Sequence, residues 1–398
     1  MEIKVREAEE EYNKMMNRLG EAFYSDLGFE NAQKYMKGLL SSAGRKNGWQ
    51  LSEIIGESTP YKLQQFIYRG SYSADKVRDI TREYVRENLG EEDGVLVVDD
   101  TGFVKQGKKS CGVQRQYTGT MGKICNCQLG VFLTYASRKG HTPIDRRLYM
   151  PEVWIEDKPR CTEAGVPEEL KFATKPELAL EMLQEATAAG MPYKWVTGDC
   201  AYGDSRAIRK WLEENGKYYV LNISKKEYIE TNHIDSFMKS NIGALLSKLP
   251  QDGWFEASCG DGSKGARVYD WYIYELSGEV SENFKRVILV RRSKSDPEEM
   301  KAYLAFAPQD TPDSRLVEVA GIRWTVEMCF KESKGEVGLD QYEVRNYDSW
   351  YKHITFAMAA LALITVLASK SMDMKTLQQH NPASSTLDDF KKGRNLRV

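Results

Sequence analysis

Val95-Leu96-Val97-Val98-Asp99-Asp100-Thr101-Gly102 is the stretch that decides the fold. Four consecutive apolar residues, most of them β-branched, mark a strand buried on both faces, as central strands of α/β sheets are. Asp99 and Asp100 end that run, at the strand terminus where open α/β sheets build their sites. Side chains alternate across a strand, so only one of the two aspartates faces a given centre. Trp195-Val196-Thr197-Gly198-Asp199-Cys200-Ala201-Tyr202-Gly203 repeats the pattern, a short apolar strand and then an aspartate at a glycine-flanked turn. Taken singly, either aspartate reads better as a helix cap or turn residue. The pair in matching contexts is what draws attention.

Outward from these two strands, the texture predicts strands at Cys127–Thr134, Arg147–Met150, Lys194–Thr197 and Tyr218–Ile223, and helices at Lys175–Ala188 and Ser205–Glu214. The order β-β-β-α-β-α-β implies a mixed sheet flanked by helices, an α/β fold. Residues 1–90 read as a helical N-terminal domain of short helices punctuated by Gly44, Gly48, Gly56, Pro60 and Gly70. Two roles stand open for it, DNA binding or a cap on the core. Residues 224–308 carry alternating segments, Gly265–Leu276 and Phe284–Arg291 among them, and read as a β-rich insertion. Residues 91–223 and 309–370 are then two parts of one core, the second formed by helices Ser314–Lys334 and Tyr347–Ser369. Residues 371–398 are a polar tail.

Composition narrows the class. With 41% hydrophobic and 29% charged residues over 398 positions, the chain is soluble and globular, of two or three domains. Its charged start, Met1–Glu11, is no secretory signal, and the apolar run Phe356–Ala368 is short for a membrane span and reads as a buried core helix. Seven cysteines without paired CxxC spacing read as free thiols in a reducing cytoplasm. His141, His233, His353 and His380 lie far apart, which argues against a histidine metal site. The net charge of −2 argues against a nucleic-acid binder, but its distribution does not: Thr101–Met150 holds nine Lys/Arg against the single acid Asp145. A basic block on an acidic background suits a phosphate-binding surface.

A third acid completes the pattern. In Gly321-Ile322-Arg323-Trp324-Thr325-Val326-Glu327-Met328-Cys329-Phe330-Lys331-Glu332-Ser333-Lys334, ~100° per helical residue brings Arg323, Glu327 and Lys334 within an arc of about 40°. Glu332 projects to the opposite face, which selects Glu327. A plain surface ion-pair ladder is the bland alternative; Trp324, Val326 and Phe330 say that this helix is packed. Asp99, Asp199 and Glu327 without histidine or cysteine partners suit hard cations, Mg²⁺ or Mn²⁺. Two such ions about 4 Å apart support in-line phosphodiester displacement.

At these residues the sequence resembles the DDE transposases of bacterial insertion sequences, in particular the insertion sequence 701 family. The resemblance rests on Val98-Asp99-Asp100-Thr101-Gly102-Phe103, continuing through Lys105, Lys108, Lys109, Gly112-Val113, Arg115-Gln116-Tyr117 and Gly122-Lys123, on Gly198-Asp199-Cys200-Ala201-Tyr202-Gly203, and on Arg323-Trp324 with Glu327, Phe330 and Lys334. It covers Asn47 to Leu367. It implies a ribonuclease H-like core with a β insertion between the second and third acids, and metal ligation by Asp99, Asp199 and Glu327, with Asp100 as the fallback first acid. It implies double-stranded DNA as partner, namely the element's terminal inverted repeats and target DNA, with a homodimer as the active form. The related signature Tyr-x2-Arg-x3-Glu-x6-Lys is met at Arg323, Glu327 and Lys334 but departs at Ala320, so a tyrosine contact to DNA does not carry over. Lys105, Lys108, Lys109 and Arg115 are expected at phosphates near the first acid, and Arg323 and Lys334 at the terminal phosphates. Trp254 and Trp271 are candidates for base stacking, with core packing the favoured role. Two other readings compete: an inactive or domesticated transposase that only binds DNA, and a haloacid dehalogenase-like phosphotransferase, which gives no role to Arg323, Glu327 and Lys334.

Overall fold

The computed structural model describes residues 2–233, 236–262, 265–276 and 282–379, so most of the expected polar tail lies outside the described residues. The valine-rich run forms β1 (Val95–Val104), which pairs antiparallel with β3 (Lys123–Ser137) and parallel with β5 (Trp195–Gly198). Val95, Leu96, Val97 and Val98 are all buried, as a strand covered on both faces requires. β4 (Gly140–Tyr149) continues antiparallel beyond β3, and β6 (Tyr218–Ile223) lies parallel to β5. The resulting order β4-β3-β1-β5-β6 is ribonuclease H-like, with helices α8 (Lys175–Ala188), α9 (Cys200–Gly203), α10 (Arg206–Glu214) and α12 (Asp313–Glu336) packed against it.

The β-rich stretch after β6 extends this same sheet. The chain passes through a hairpin of β7 (Tyr228–His233) and β8 (Ser236–Asn241) and the short α11 (Ile242–Leu246). It then forms β9 (Phe255–Gly262), β10 (Gly265–Glu275), β11 (Phe284–Arg292) and β12 (Met300–Pro308). β12 returns antiparallel to β6, which carries the main sheet to ten strands. An exposed strand edge at β6 is thereby covered, removing unpaired backbone donors and acceptors.

Several short elements escaped the sequence reading: β2 (Gln114–Thr118), which pairs with β3, helices α6 (Glu152–Glu156) and α7 (Lys158–Glu163), α9 where a turn was expected, and α11 within the stretch read as β-rich. None is long enough to show a period.

Helices α1 (Glu2–Gly20), α2 (Asp26–Leu40), α4 (Tyr61–Arg69) and α5 (Ala74–Leu89) share their apolar faces with α13 (Tyr347–Gln379), and α3 (Gly48–Ile54) packs on α2 and α4. Ser25, Asn47 and Ser73 start α2, α3 and α5 as N-caps. Phe356 on α13 is the hub, with ring centroids 5.7 Å from Tyr35, 5.4 Å from Phe66 and 5.9 Å from Tyr72. α13 is long and apolar enough to cross a membrane by length and composition, yet 67% of its apolar window is buried in the protein. It is a core helix, as expected from Phe356–Ala368.

One expectation needs correcting. Two of the nine cations in the basic block do not face a phosphate. Arg147 donates to Asp145 at 2.9 Å, where Arg78 (3.1 Å) and Arg82 (2.8 Å) also converge. Arg146 is fully buried and reaches Asp75 at 2.9 Å and Thr355 at 2.8 Å. The charge count could not see this, because the partners come from α5, α8 and α13.

Candidate active site

Three elements bring the chemistry together. Asp99 lies on β1 at the point where that strand outruns β5, whose pairing ends at Gly198. Asp199 follows directly and caps α9, one oxygen accepting from the Ala201 N–H at 2.9 Å. Glu327 comes from α12, which lies across β1, β5 and β6. Gly321 permits that approach: a Cβ there would sit 1.9 Å from the Cys259 carbonyl oxygen on β9, so only glycine lets the helix backbone come this close.

Arg323 links the acids. Its guanidinium donates to Glu327 Oε1 at 2.9 Å and lies 3.5 Å from Asp99 Oδ2. Lys334, further along the same helix face, donates to Thr101 Oγ1 at 2.8 Å. Asp99 and Thr101 are two residues apart and so share a face of β1, the face that α12 covers. Glu332 points away and pairs with His141 at 3.0 Å, as the helical spacing predicts.

Asp100 occupies the other face. Lys175 on α8 donates to one of its oxygens at 2.9 Å and the Tyr202 hydroxyl to the other at 3.2 Å. Both oxygens have partners within the protein, whereas Asp99 meets α12. Sequence reasoning missed Lys175, because nothing local ties a lysine at a helix start to a strand 75 residues away. Tyr202 was quoted in its motif but given no role.

The electrostatics are those of crowded acids. Burial, then the Asp199 carboxylate, push Asp99 up to about 7, with Arg323 opposing. Burial, then Asp100, raise Asp199 as well. Like charges held together in a low dielectric lack counter-charge, and hard carboxylate oxygens are the donor set that Mg²⁺ and Mn²⁺ prefer. The residues fit such an ion chemically. Among the described residues, no three acid, histidine or cysteine side chains stand close enough to form a completed metal cluster.

Of the other residues expected at phosphates, Lys105 is turned away from the acids. Lys105 is six positions beyond Asp99, roughly 20 Å at ~3.3 Å per strand residue. Its ammonium is turned onto the Tyr342 ring, 3.5 Å from the centroid, and donates to the Tyr342 carbonyl. Burial lowers it to about 8. Lys109 pairs with Glu163 at 2.6 Å, and Lys108 and Arg115 are exposed. Lys105 therefore does not face the first acid. Trp271 is 1% exposed and packs as core, while Trp254 is half-buried beneath Arg292 and beside Tyr272.

A cleft of about 200 Å³ opens beside Glu327, between α12 and the strands β9–β12. Arg267, Arg291 and Lys301 line it with Tyr269 and Trp324. Arg267 stacks over Trp324 at 4.7 Å and Arg291 over Tyr269 at 4.2 Å. No local pattern in the sequence marked these cations, which reach the cleft from three strands.

Comparison with known proteins gives the family. A family described as DDE superfamily endonuclease matches residues 22–232, and one described as Transposase DDE domain matches residues 173–363. The chain is 24% identical over 332 residues to a protein of Microchaete diplosiphon named "Probable transposase for insertion sequence element IS701", covering 82% of this chain and 80% of that relative. The match spans strands, insertion and α12 together, and on it the chain belongs to the DDE superfamily of endonucleases, as a transposase resembling that of IS701.

Proposed function

We propose that the chain excises and reinserts an insertion sequence by cut-and-paste transposition, with Asp99, Asp199 and Glu327 as its metal-binding catalytic triad. The observation that carries this is the single Arg323 guanidinium in reach of both Asp99 and Glu327, with the Asp199 carboxylate near enough to raise Asp99. When bound, two Mg²⁺ (or Mn²⁺) ions would activate water or a 3′-hydroxyl and stabilise the leaving oxygen. The three carboxylates would hold them. Arg323 and Lys334 steady the terminal phosphate. Lys108 and Lys109 contact flanking duplex farther along, Arg115 the backbone nearer the cut, and the residues of the Arg267–Arg291–Lys301 cleft meet the backbone on the other side. Asp100 serves to position the strand end, through Lys175 and Tyr202. The enzyme works in the cytoplasm as a homodimer that bridges two element ends.

The test is cleavage of DNA carrying the gene's own flanking repeats, with and without Mg²⁺, by wild type, Asp199→Ala and Glu327→Ala. Wild type should cut at the repeat ends, and both variants should bind but not cut. Binding without cutting by wild type would mean a domesticated DNA-binding protein. Cutting by the variants would remove them from the triad.

A further inference from the structure

The β2–β3 hairpin folds back over the active-site end of β1, and the structure gives it unusual surroundings. Its tip is a tight turn in which the Gly122 N–H bonds the Thr118 carbonyl at 3.0 Å, with Gly122 at φ +61°. Thr120 Oγ1 then lies 3.3 Å from Lys334 Nζ, from Thr101 Oγ1 and from the Gly102 nitrogen. Gly102 makes room for this: a Cβ would meet Thr118 Oγ1 at 2.0 Å. The tip is therefore docked two to three residues from Asp99, against a lysine expected at the terminal phosphate.

What this hairpin shows to solvent is apolar. Tyr117 is 62% exposed, Ile124 60% and Met121 46%, with Tyr117 and Ile124 directly opposite one another across the two strands. Arg115 and Lys123 flank them, both exposed, and no acidic residue occurs from Thr101 to Ile144. A large aromatic, a flexible methionine and a branched aliphatic side chain are costly to leave in water. Phosphate contact needs none of them. Apolar side chains between flanking cations are what proteins insert between base steps to unstack them, and an aromatic face stacks on any base. The charge and the continuity with the acid cluster select DNA over a protein partner.

We propose that the β2–β3 hairpin is a wedge: Tyr117, with Met121 and Ile124, inserts at the base step bordering the scissile phosphate and unstacks it. This rests on the transposase reading. The wedge opens the duplex so that the phosphate can approach the acids, while Arg115 and Lys123 hold the backbone on either side.

The test uses the full-length protein and a duplex carrying the gene's flanking repeats, with 2-aminopurine in place of an adenine beside the cleavage point. Wild type should raise the 2-aminopurine fluorescence severalfold on binding in Ca²⁺. Tyr117→Ala and the double variant Tyr117→Ala/Met121→Ala should bind the duplex within about threefold of wild type, give no fluorescence rise, and cut at least tenfold more slowly. A second substrate, mismatched at the two base pairs bordering the cut, should restore their rate to near wild type, which general damage to the fold would not allow. Tyr117→Phe should behave as wild type. Wild-type rates for the alanine variants on the paired duplex would overturn the proposal, as would slow cutting that the mismatch fails to rescue. A change from dimer to monomer by light scattering would reassign the patch to an interface between copies. Should wild type neither bind nor cut either duplex, the transposase reading fails first, and that result is distinct from all of these.

Discussion

Asp99 and Asp100 are neighbours with opposite surroundings, and the difference makes a residue-scale prediction. Asp99 faces α12, whereas Asp100 already satisfies Lys175 and Tyr202. Asp99→Asn should abolish Mn²⁺ binding measured by titration calorimetry. Asp100→Asn should leave the Mn²⁺ affinity within about threefold, and lower stability by about 1–3 kcal/mol through the weakened bonds to Lys175 and Tyr202. The reverse result would make Asp100 the first ligand. Gly321 offers a second probe at this scale. Gly321→Ala places a methyl group against the Cys259 carbonyl, and overpacking of this kind costs about 1–3 kcal/mol. The larger consequence is for chemistry, since α12 must move from β9 and carries Arg323 and Glu327 with it. DNA cleavage should fall at least tenfold while the circular dichroism spectrum stays native.

At the scale of elements, the buried Asp145 cluster joins α5, β4 and α8, with Arg146 extending the bond network to α13. The surrounding arginines hold the Asp145 carboxyl below its ordinary range against the cost of burial. Removing one member of such a set leaves buried charge without compensation, at about 3–5 kcal/mol. Asp145→Asn should therefore lower the urea midpoint sharply, and a change below about 1 kcal/mol would show that solvent reaches the arginines. The basic block of Thr101–Met150 thus serves two purposes. Arg115 and Lys123 lie exposed on the β2–β3 hairpin, whereas Arg146 and Arg147 hold elements together.

For the whole molecule, α13 is the axis on which the N-terminal helices meet the sheet. His353 on this helix is buried; its Nδ1 meets the Tyr35 hydroxyl of α2 at 2.7 Å, and its Nε2 meets the Gly338 carbonyl at 3.1 Å. The Gly338 carbonyl requires the proton on Nε2, and with the ring neutral Nδ1 accepts from the Tyr35 hydroxyl. Burial lowers the imidazole to about 4. A folded value below the unfolded one means stability is fully present above about pH 6.5 and is lost as pH falls towards 4. At ~1.36 kcal/mol per pH unit, about 2 kcal/mol should disappear between pH 6.5 and 5. Urea unfolding of wild type and His353→Gln at the two pH values checks this, since the variant should lack that part of the acid dependence. Phe356→Ala should cost about 3–5 kcal/mol and, because the aromatic cluster is shared, lower one common thermal transition for helices and sheet.

The strand Val95–Val98, the aspartate that follows β5, and the facing of Arg323, Glu327 and Lys334 were legible in the sequence, whereas β1 runs on to Val104 and places Asp99 mid-strand, not at the strand end expected. Each depends on local rules: continuous burial, side-chain alternation and the helical period. The long helices α12 and α13 were legible for the same reason. Tertiary structure alone decided which of two adjacent aspartates meets α12, because alternation says that they differ and not which way the sheet faces. It alone turned Lys105 onto Tyr342 and Arg146 onto Asp75, since partners distant in sequence set the fate of a charge. It also set the strands after β6 beside the core sheet, and it folded the hairpin of Tyr117 and Ile124 back over Gly102. Periodicity records which face of a segment is apolar; where that face docks is settled by the rest of the chain.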